Sequence, residues 1–445
     1  MVERLMVNQT TPDPALGDDR SEYMDGSNPH PFLTDPVVGR ALSIAIDRQT
    51  LVDVGYGDAG RSTCNVWPAP PAQNSSANDE CLTQDIDLAN QLLDDAGYAD
   101  TDGDGVRESP DGVPLKILYQ TSTNTVRQAT QELIKQDWAK IGVETELRNI
   151  DASVFFGGDP ASPDTYGKFY ADVQMYTNGA AGVDSQSYMG GWTTPNISGK
   201  DTNWQGSNVQ RFQSDEYDAL HAELTQTADM DRRNELTIQL NDLVVGNYSI
   251  IPLIHRGSVS AVTNSLTGHK LNPWDAELWN IGDWARGTAD PEPAPEPEEV
   301  SSGAGEGGTV TLLYWQAAST LNPYLSGGWK DRDAGSVILE PLAEFDDQGV
   351  LVPALAVEIP TVANGGVAED LKSITWELLE GVLWSDGTPL TSDDVVFSWE
   401  YCSHPDTGCA NAGSYEGVTS VEAVDDLTIT VNFAEATPFL SLIHI

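Results

Sequence analysis

The clearest hydrophobic pattern is DPVVGRALSIAIDRQTLVDVGYG, where Val38, Ala41, Leu42, Ala45 and Ile46 recur at helical spacing. Asp35 suits the N-cap of that helix, and Pro36 its first position. DIDLANQLLDDAGY predicts a second helix ending at Gly97. PLKILYQTS predicts a strand, VRQATQELIKQDWAKIG an amphipathic helix, and VETELRNID and FYADVQMYTN two more strands. EYDALHAELTQTADMDRRNELTIQLNDLVVGN predicts a helix pair, and YSIIPLIHRGSVSAV a buried strand. Strands alternating with helices indicate an α/β lobe. Residues 1–30 read as polar and turn-rich.

The pattern breaks at residues 287–308, GTADPEPAPEPEEVSSGAGEGG. Alternating Pro and Glu extend a chain and Ser/Gly loosen it, so this reads as an exposed linker. Beyond it the chain is strand-rich and α+β in character. TVTLLYW and LTITVNF predict strands, and ITWELLEGVLWSDGTPLTSDDVVFSWEY predicts strand, tight turn and helix, with Thr391 as N-cap. The expected organisation is therefore 1–286, linker 287–308 and 309–445. No internal repeat is evident.

Charge narrows the function. The 69 acidic residues outnumber 22 basic ones, for a net charge of −47. Nucleic-acid binding needs Lys and Arg to displace phosphate counterions, so that class is excluded, as is binding to an anionic membrane surface. The four cysteines lie in two close pairs, Cys64 with Cys81 and Cys402 with Cys409, without zinc-ligand spacing. Four cysteines allow three connectivities; proximity favours two local disulfides and hence an oxidising compartment. No run of apolar residues is long enough for a transmembrane helix, and MVERLMVNQTTPDP lacks the basic and apolar regions of a signal peptide.

Asp100, Asp102 and Asp104, with Gly105 next, match the first, third, fifth and sixth positions of a calcium loop, with Asp111 at the twelfth. The alternative is an acidic turn between the helix ending at Tyr98 and the strand at Leu115. Enzyme motifs are absent: there is no GxSxG, HExxH or P-loop arrangement, and no GxGxxG between a strand and a helix. His255, on the apolar run IIPLIHRG, reads as a strand residue.

Trp376–Glu377–Leu378, Gly381–Val382, Trp384–Ser385–Asp386–Gly387, Pro389–Leu390–Thr391 and Asp394–Val395–Val396–Phe397 resemble the signature of family 5 solute-binding proteins. These are the oligopeptide, dipeptide and nickel binders of ABC importers. EPLAEFDDQGVLVPALA resembles the segment just upstream in that family, DPVVGRALSIAIDRQTL its second landmark, and the segment ending in YSIIPLIHR its C-terminal region. The order is reversed relative to the family, and the residues that would join Phe439 to Val2 have no counterpart. A fragmentary tandem, a permutation and a joining of two partial sequences each fit.

The resemblance implies a two-lobed, type II periplasmic-binding-protein-like α/β fold with mixed sheets, incomplete or permuted here. It implies a monomer, periplasmic or extracellular, either free or membrane-anchored in the full-length protein, that closes around a peptide and delivers it to ABC permease subunits. The alternatives are an oligosaccharide or other small solute, or a fragment that binds nothing. In the family's peptide binders an Asp after a second-lobe strand pairs with the ligand's α-amino group. The matching position is Asp184, followed by Ser185 where the family has Pro. The structural alternative for Asp184 is a turn cap. Tyr176, Tyr188, Trp192 and Trp204, with Asn178, Asn203 and Asn208, fall where the family lines its cleft. Ordinary core packing is the alternative for each aromatic. No cofactor beyond a candidate calcium ion is implied.

Overall fold

VERLMV, within the stretch read as polar and turn-rich, is an interior strand, β1 (Val2–Val7), and all six of its residues are buried. Its charges concealed it: Glu3 and Arg4 are buried by partners that only the fold supplies. In this computed structural model the described residues are 1–22, 28–179, 184–227, 229–257, 259–286, 311–314, 316–326, 328–410, 412–415 and 417–437. The linker at 287–308 and the closing PFLSLIHI lie outside them, as do residues 309, 310 and 315 of TVTLLYW; Thr311–Tyr314 form no strand.

The chain divides into two compact units. The first comprises Met1–Gly257, the short segment Glu369–Lys372 and the stretch that starts at Phe433. The helix expected from Val38 to Ile46 and beyond is two helices, α1 (Pro36–Ile44) and α2 (Arg48–Gly55). Asp35 caps α1 by accepting from the Val37 N–H at 2.9 Å. Asp47 divides the run because its carboxylate caps α2 through the Thr50 N–H. There follow β2 (Gly60–Ser62), α3 (Ile86–Asp95), β3 (Lys116–Ser122), α4 (Thr125–Ala139) and β4 (Glu144–Ile150). The unit continues with α5 (Ala152–Phe155), β5 (Val173–Asn178), α6 (Gln186–Gly190), α7 (Asp215–Gln226), α8 (Met230–Gly246) and β6 (Ile250–Arg256).

The six strands form one mixed sheet in the order β2-β6-β1-β5-β3-β4. β3 runs parallel to β4 and β5, whereas β1 is antiparallel to both β5 and β6. Side-chain alternation sends Leu5 and Val7 to one face, against Leu42, Ile134 and Trp138. Met6 points the other way, into a core with Tyr176, Tyr188, Leu236 and Leu240. Both faces are therefore covered, and the interior strand β6 reads as a near-continuous apolar run, buried from Ile250 to Ile254. The Cys64–Cys81 disulfide closes a loop against α8, where Asn241 accepts from the Val66 N–H at 3.0 Å.

The second unit is made mainly of Ser258–Ala368 and Ser373–Asn432. Its elements are β7 (Leu266–Thr267) paired with β8 (Ala285–Arg286), α9 (Trp329–Gly335), and β9 (Ala343–Phe345) paired with β10 (Leu351–Pro353). β11 (Ser373–Glu377), α10 (Ser392–Ser403), β12 (Val418–Asp425) and β13 (Thr428–Phe433) complete it, with a three-stranded sheet in the order β11-β13-β12. Thr391 caps α10 in a reciprocal box with Asp394, and the Cys402–Cys409 disulfide lies at the helix end. Residues from before and after 287–308 pack together here. Asp275 accepts from Arg332 at 2.7 Å and from the Phe345 N–H at 3.0 Å, while Asn272 donates to the Phe345 carbonyl at 2.6 Å.

Candidate functional site

Open α/β sheets place ligands outside the carboxyl ends of their parallel strands. In the first unit that end is defined by Ser122 of β3 and Asn178 of β5, with the N-terminus of α4 beside them. Because β1 is antiparallel to β5, its first residues lie at the same end: Glu3 pairs with Thr177 and Arg4 with Tyr176. The end of β6 reaches it too, since Val2 pairs with His255.

Glu3 is 1% exposed. Its carboxylate meets Arg127 at 2.9 Å and Arg256 at 3.5 Å, and accepts from the Tyr56 hydroxyl at 3.1 Å and from that of Thr177. Burial alone would raise its pKa; the two guanidinium groups and the Thr177 hydroxyl reverse that and hold it below the ordinary value. His255 is pushed down to about 4, by burial first and then by neighbouring cationic groups, Arg61 among them.

Arg4, 2% exposed, lies among three rings, 5.5 Å from the centroid of Tyr176, 5.6 Å from Tyr188 and 5.3 Å from Trp192. It donates to the Tyr188 hydroxyl at 2.6 Å. Burial raises the pKa of both tyrosines, and Arg4 offsets part of the rise. The rings continue outward: Tyr176 lies 5.4 Å from Tyr166 and 6.2 Å from Phe156, and Tyr188 lies 5.2 Å from Trp67 of the disulfide loop.

The structure thus brings Tyr176, Tyr188 and Trp192 together and leaves other candidates apart. Trp204 stacks instead under Lys168, whose ammonium is 4.3 Å from the ring centroid. Asn178 is exposed at the end of β5, and Asn203 is exposed in a left-handed turn. Asn208 is fully buried and its amide is committed to backbone: it donates to the carbonyls of Trp192, Thr193 and Phe212 and accepts from the Phe212 N–H. Sequence reasoning missed Glu3, Arg4, Arg127, Arg256 and the Phe155–Phe156–Tyr166 ring group. The available signal was a charged pair, Glu3–Arg4, inside an apolar run.

Asp184 pairs with Arg233, at 2.6 Å to one terminal nitrogen and 3.1 Å to Nε, and accepts from the Gln186 N–H at 3.0 Å. A ligand ammonium there would compete with a guanidinium already in place. Asp184→Ala should destabilise the first unit by about 2 kcal/mol, below the range for fully buried pairs because the carboxylate is 30% exposed. Urea unfolding checks this; an unchanged midpoint would contradict the ion pair.

In the acidic loop, ligand atoms of Asp100, Asp102, Asp104 and Glu108 lie within 4.8 Å of one another. Glu108, rather than Asp111, completes the group, because Asp111 sits in the following turn, closed by the Gly112 N–H on the Ser109 carbonyl at 2.8 Å. The carboxylates also hold the loop themselves: Asp100 accepts from the N–H groups of Gly103 and Gly105, and Glu108 from Thr101.

The model for bacterial extracellular solute-binding proteins, family 5 Middle, matches residues 3–200 and 350–445. The chain belongs to this family. The family is one of binding proteins and not of enzymes. Among curated relatives, the dipeptide-binding protein of Pseudomonas aeruginosa is 25% identical over 250 residues, which are 53% of this chain and 40% of that protein. Heme-binding protein A of Haemophilus influenzae is 28% identical over 251 residues, 53% of this chain and 39% of that one. The chain thus spans about two fifths of the length of these relatives. Its fold resembles the oligopeptide-binding protein of Thermus thermophilus complexed with a pentapeptide (TM-score 0.50, 20% identity, covering 64% of this chain and 45% of that one). The first unit's mixed α/β sheet agrees with that likeness. Among the described residues no helix is long and apolar enough to cross a membrane.

Proposed function

We propose that this family 5 chain captures a peptide outside the cytoplasm, at the carboxyl end of the first unit's sheet, and delivers it to the permease subunits of an ABC importer. Capture proceeds by lobe closure: contacts made only in the closed state shift the equilibrium toward it. The observation that carries this reading is the buried cluster of Arg4, Tyr176, Tyr188 and Trp192 beside the carboxyl end of the first unit's sheet, the end at which open α/β sheets take ligands. Apolar ring faces with polar edges suit peptide side chains and backbone alike. Peptide-binding relatives support the reading. The same rings would suit the faces of sugars, which keeps oligosaccharides as the second reading.

Thermal unfolding of the oxidised protein with tripeptides and with oligosaccharides separates the two. A ligand at a hundred times its Kd should stabilise the native state by about 2.7 kcal/mol. Stabilisation by peptides is expected. A shift with sugars alone would transfer the substrate class, and a melt that responds to neither would overturn the capture reading.

A further inference from the structure

Arg4, Arg127 and Arg256 converge on the carboxyl end of the sheet, and among the described residues only the Glu3 carboxylate is paired with any of them. Arg127 and Arg256 share the one anion, and Arg4, on the opposite face of β1, has none among the described residues, in a chain where acidic residues outnumber basic ones 69 to 22. With acids this abundant, one more carboxylate would be easy to place there. Among the described residues Arg4 has only neutral neighbours as acceptors, the hydroxyls of Tyr188 and Tyr176 and the Met6 sulfur. Ring faces offset part of a buried guanidinium's charge but offer no anionic acceptor. Arg127 and Arg256 each also stand over a ring, Phe156 at 5.9 Å and Tyr56 at 5.5 Å. Arg256 keeps 35% of its side chain exposed and Arg127 12%, so the excess charge reaches the surface. The N-terminus of α4, where Arg127 sits, adds a dipole of the same sign.

From this uncompensated charge we infer that the site selects ligands with a net negative charge, taking carboxylates of an acidic peptide on the guanidinium groups left over by Glu3. The inference rests on the peptide-capture reading and narrows it to a substrate class. It agrees with the other end of the charge account: the candidate partner for a ligand ammonium, Asp184, is already held by Arg233.

Titration calorimetry with Glu-Ala-Glu, Gln-Ala-Gln and Lys-Ala-Lys, together with glutarate as a non-peptide dianion, tests it. Glu-Ala-Glu should bind at least tenfold more tightly than Gln-Ala-Gln, with Lys-Ala-Lys weakest. Arg256→Met, at the most exposed of the three, should remove most of that preference while the protein still melts cooperatively. Equal affinities for the three peptides would overturn the inference and leave peptide capture standing. Binding of glutarate without any peptide would do the reverse, sustaining the anion site and removing the peptide reading. Failure of both Glu-Ala-Glu and glutarate to bind would overturn it outright.

Discussion

Glu3→Gln is expected to destabilise the first unit by about 3–5 kcal/mol, the cost of removing one partner from a buried ion pair. The carboxylate it removes is 1% exposed and is the counter-ion of Arg127 and Arg256. Gln keeps the shape and can still bond the hydroxyls of Tyr56 and Thr177, so the loss isolates the charge. The pH dependence has a definite sign. The folded-state pKa of Glu3 lies below the ordinary 4.5, so its stabilisation is present above that value and is lost as pH falls through the folded pKa. The gap between parent and variant should therefore be widest above pH 4.5 and shrink in more acid solution. Urea unfolding from pH 3 to 7 reads both quantities; a gap that is small or independent of pH would show that Glu3 does not balance these arginines.

Trp138→Ala should cost a similar amount, about 3–5 kcal/mol, by a different mechanism. Trp138 is fully buried in α4 and packs 5.8 Å from the Tyr119 ring of β3. Its indole N–H donates to the Leu42 carbonyl at 3.0 Å, tying α4 to α1. Truncation opens a cavity between the helix layer and the sheet and orphans that carbonyl. Trp138→Phe fills most of the space without restoring the hydrogen bond, so it should fall between parent and Ala variant. The unfolding midpoint should move with the denaturant slope unchanged; a slope that falls would mean that the unit no longer unfolds in one step.

How legible these features were depended on whether their partners were local in sequence. The starts of α1 and α10 could be read because Asp35 and Thr391 satisfy N–H groups within three residues. β3, α4 and β4 follow from periodicity, and the two disulfides from cysteine proximity. β1 escaped because its charges are neutralised or stacked at a distance: Arg127 is 124 positions from Glu3, and Tyr188 is 184 from Arg4. Asp184 looked free for the same reason, with Arg233 49 positions away. Asn208 shows the opposite limit, since a polar side chain in a Gly-rich stretch carries no sign that backbone carbonyls will consume it. Tyr176, Tyr188 and Trp192 were legible as a group of aromatics, but what unites them is Arg4, one strand over.

Hydrogen exchange of the oxidised protein with and without saturating Glu-Ala-Glu tests the central claim, that ligand is captured at the carboxyl end of the first unit's sheet. Slowed exchange is expected at Val2–Leu5, at Ser122–Arg127 and at Tyr176–Gly179, with the rest of that unit little changed. Protection confined to other segments, or none at a peptide concentration that shifts the melt, would contradict it.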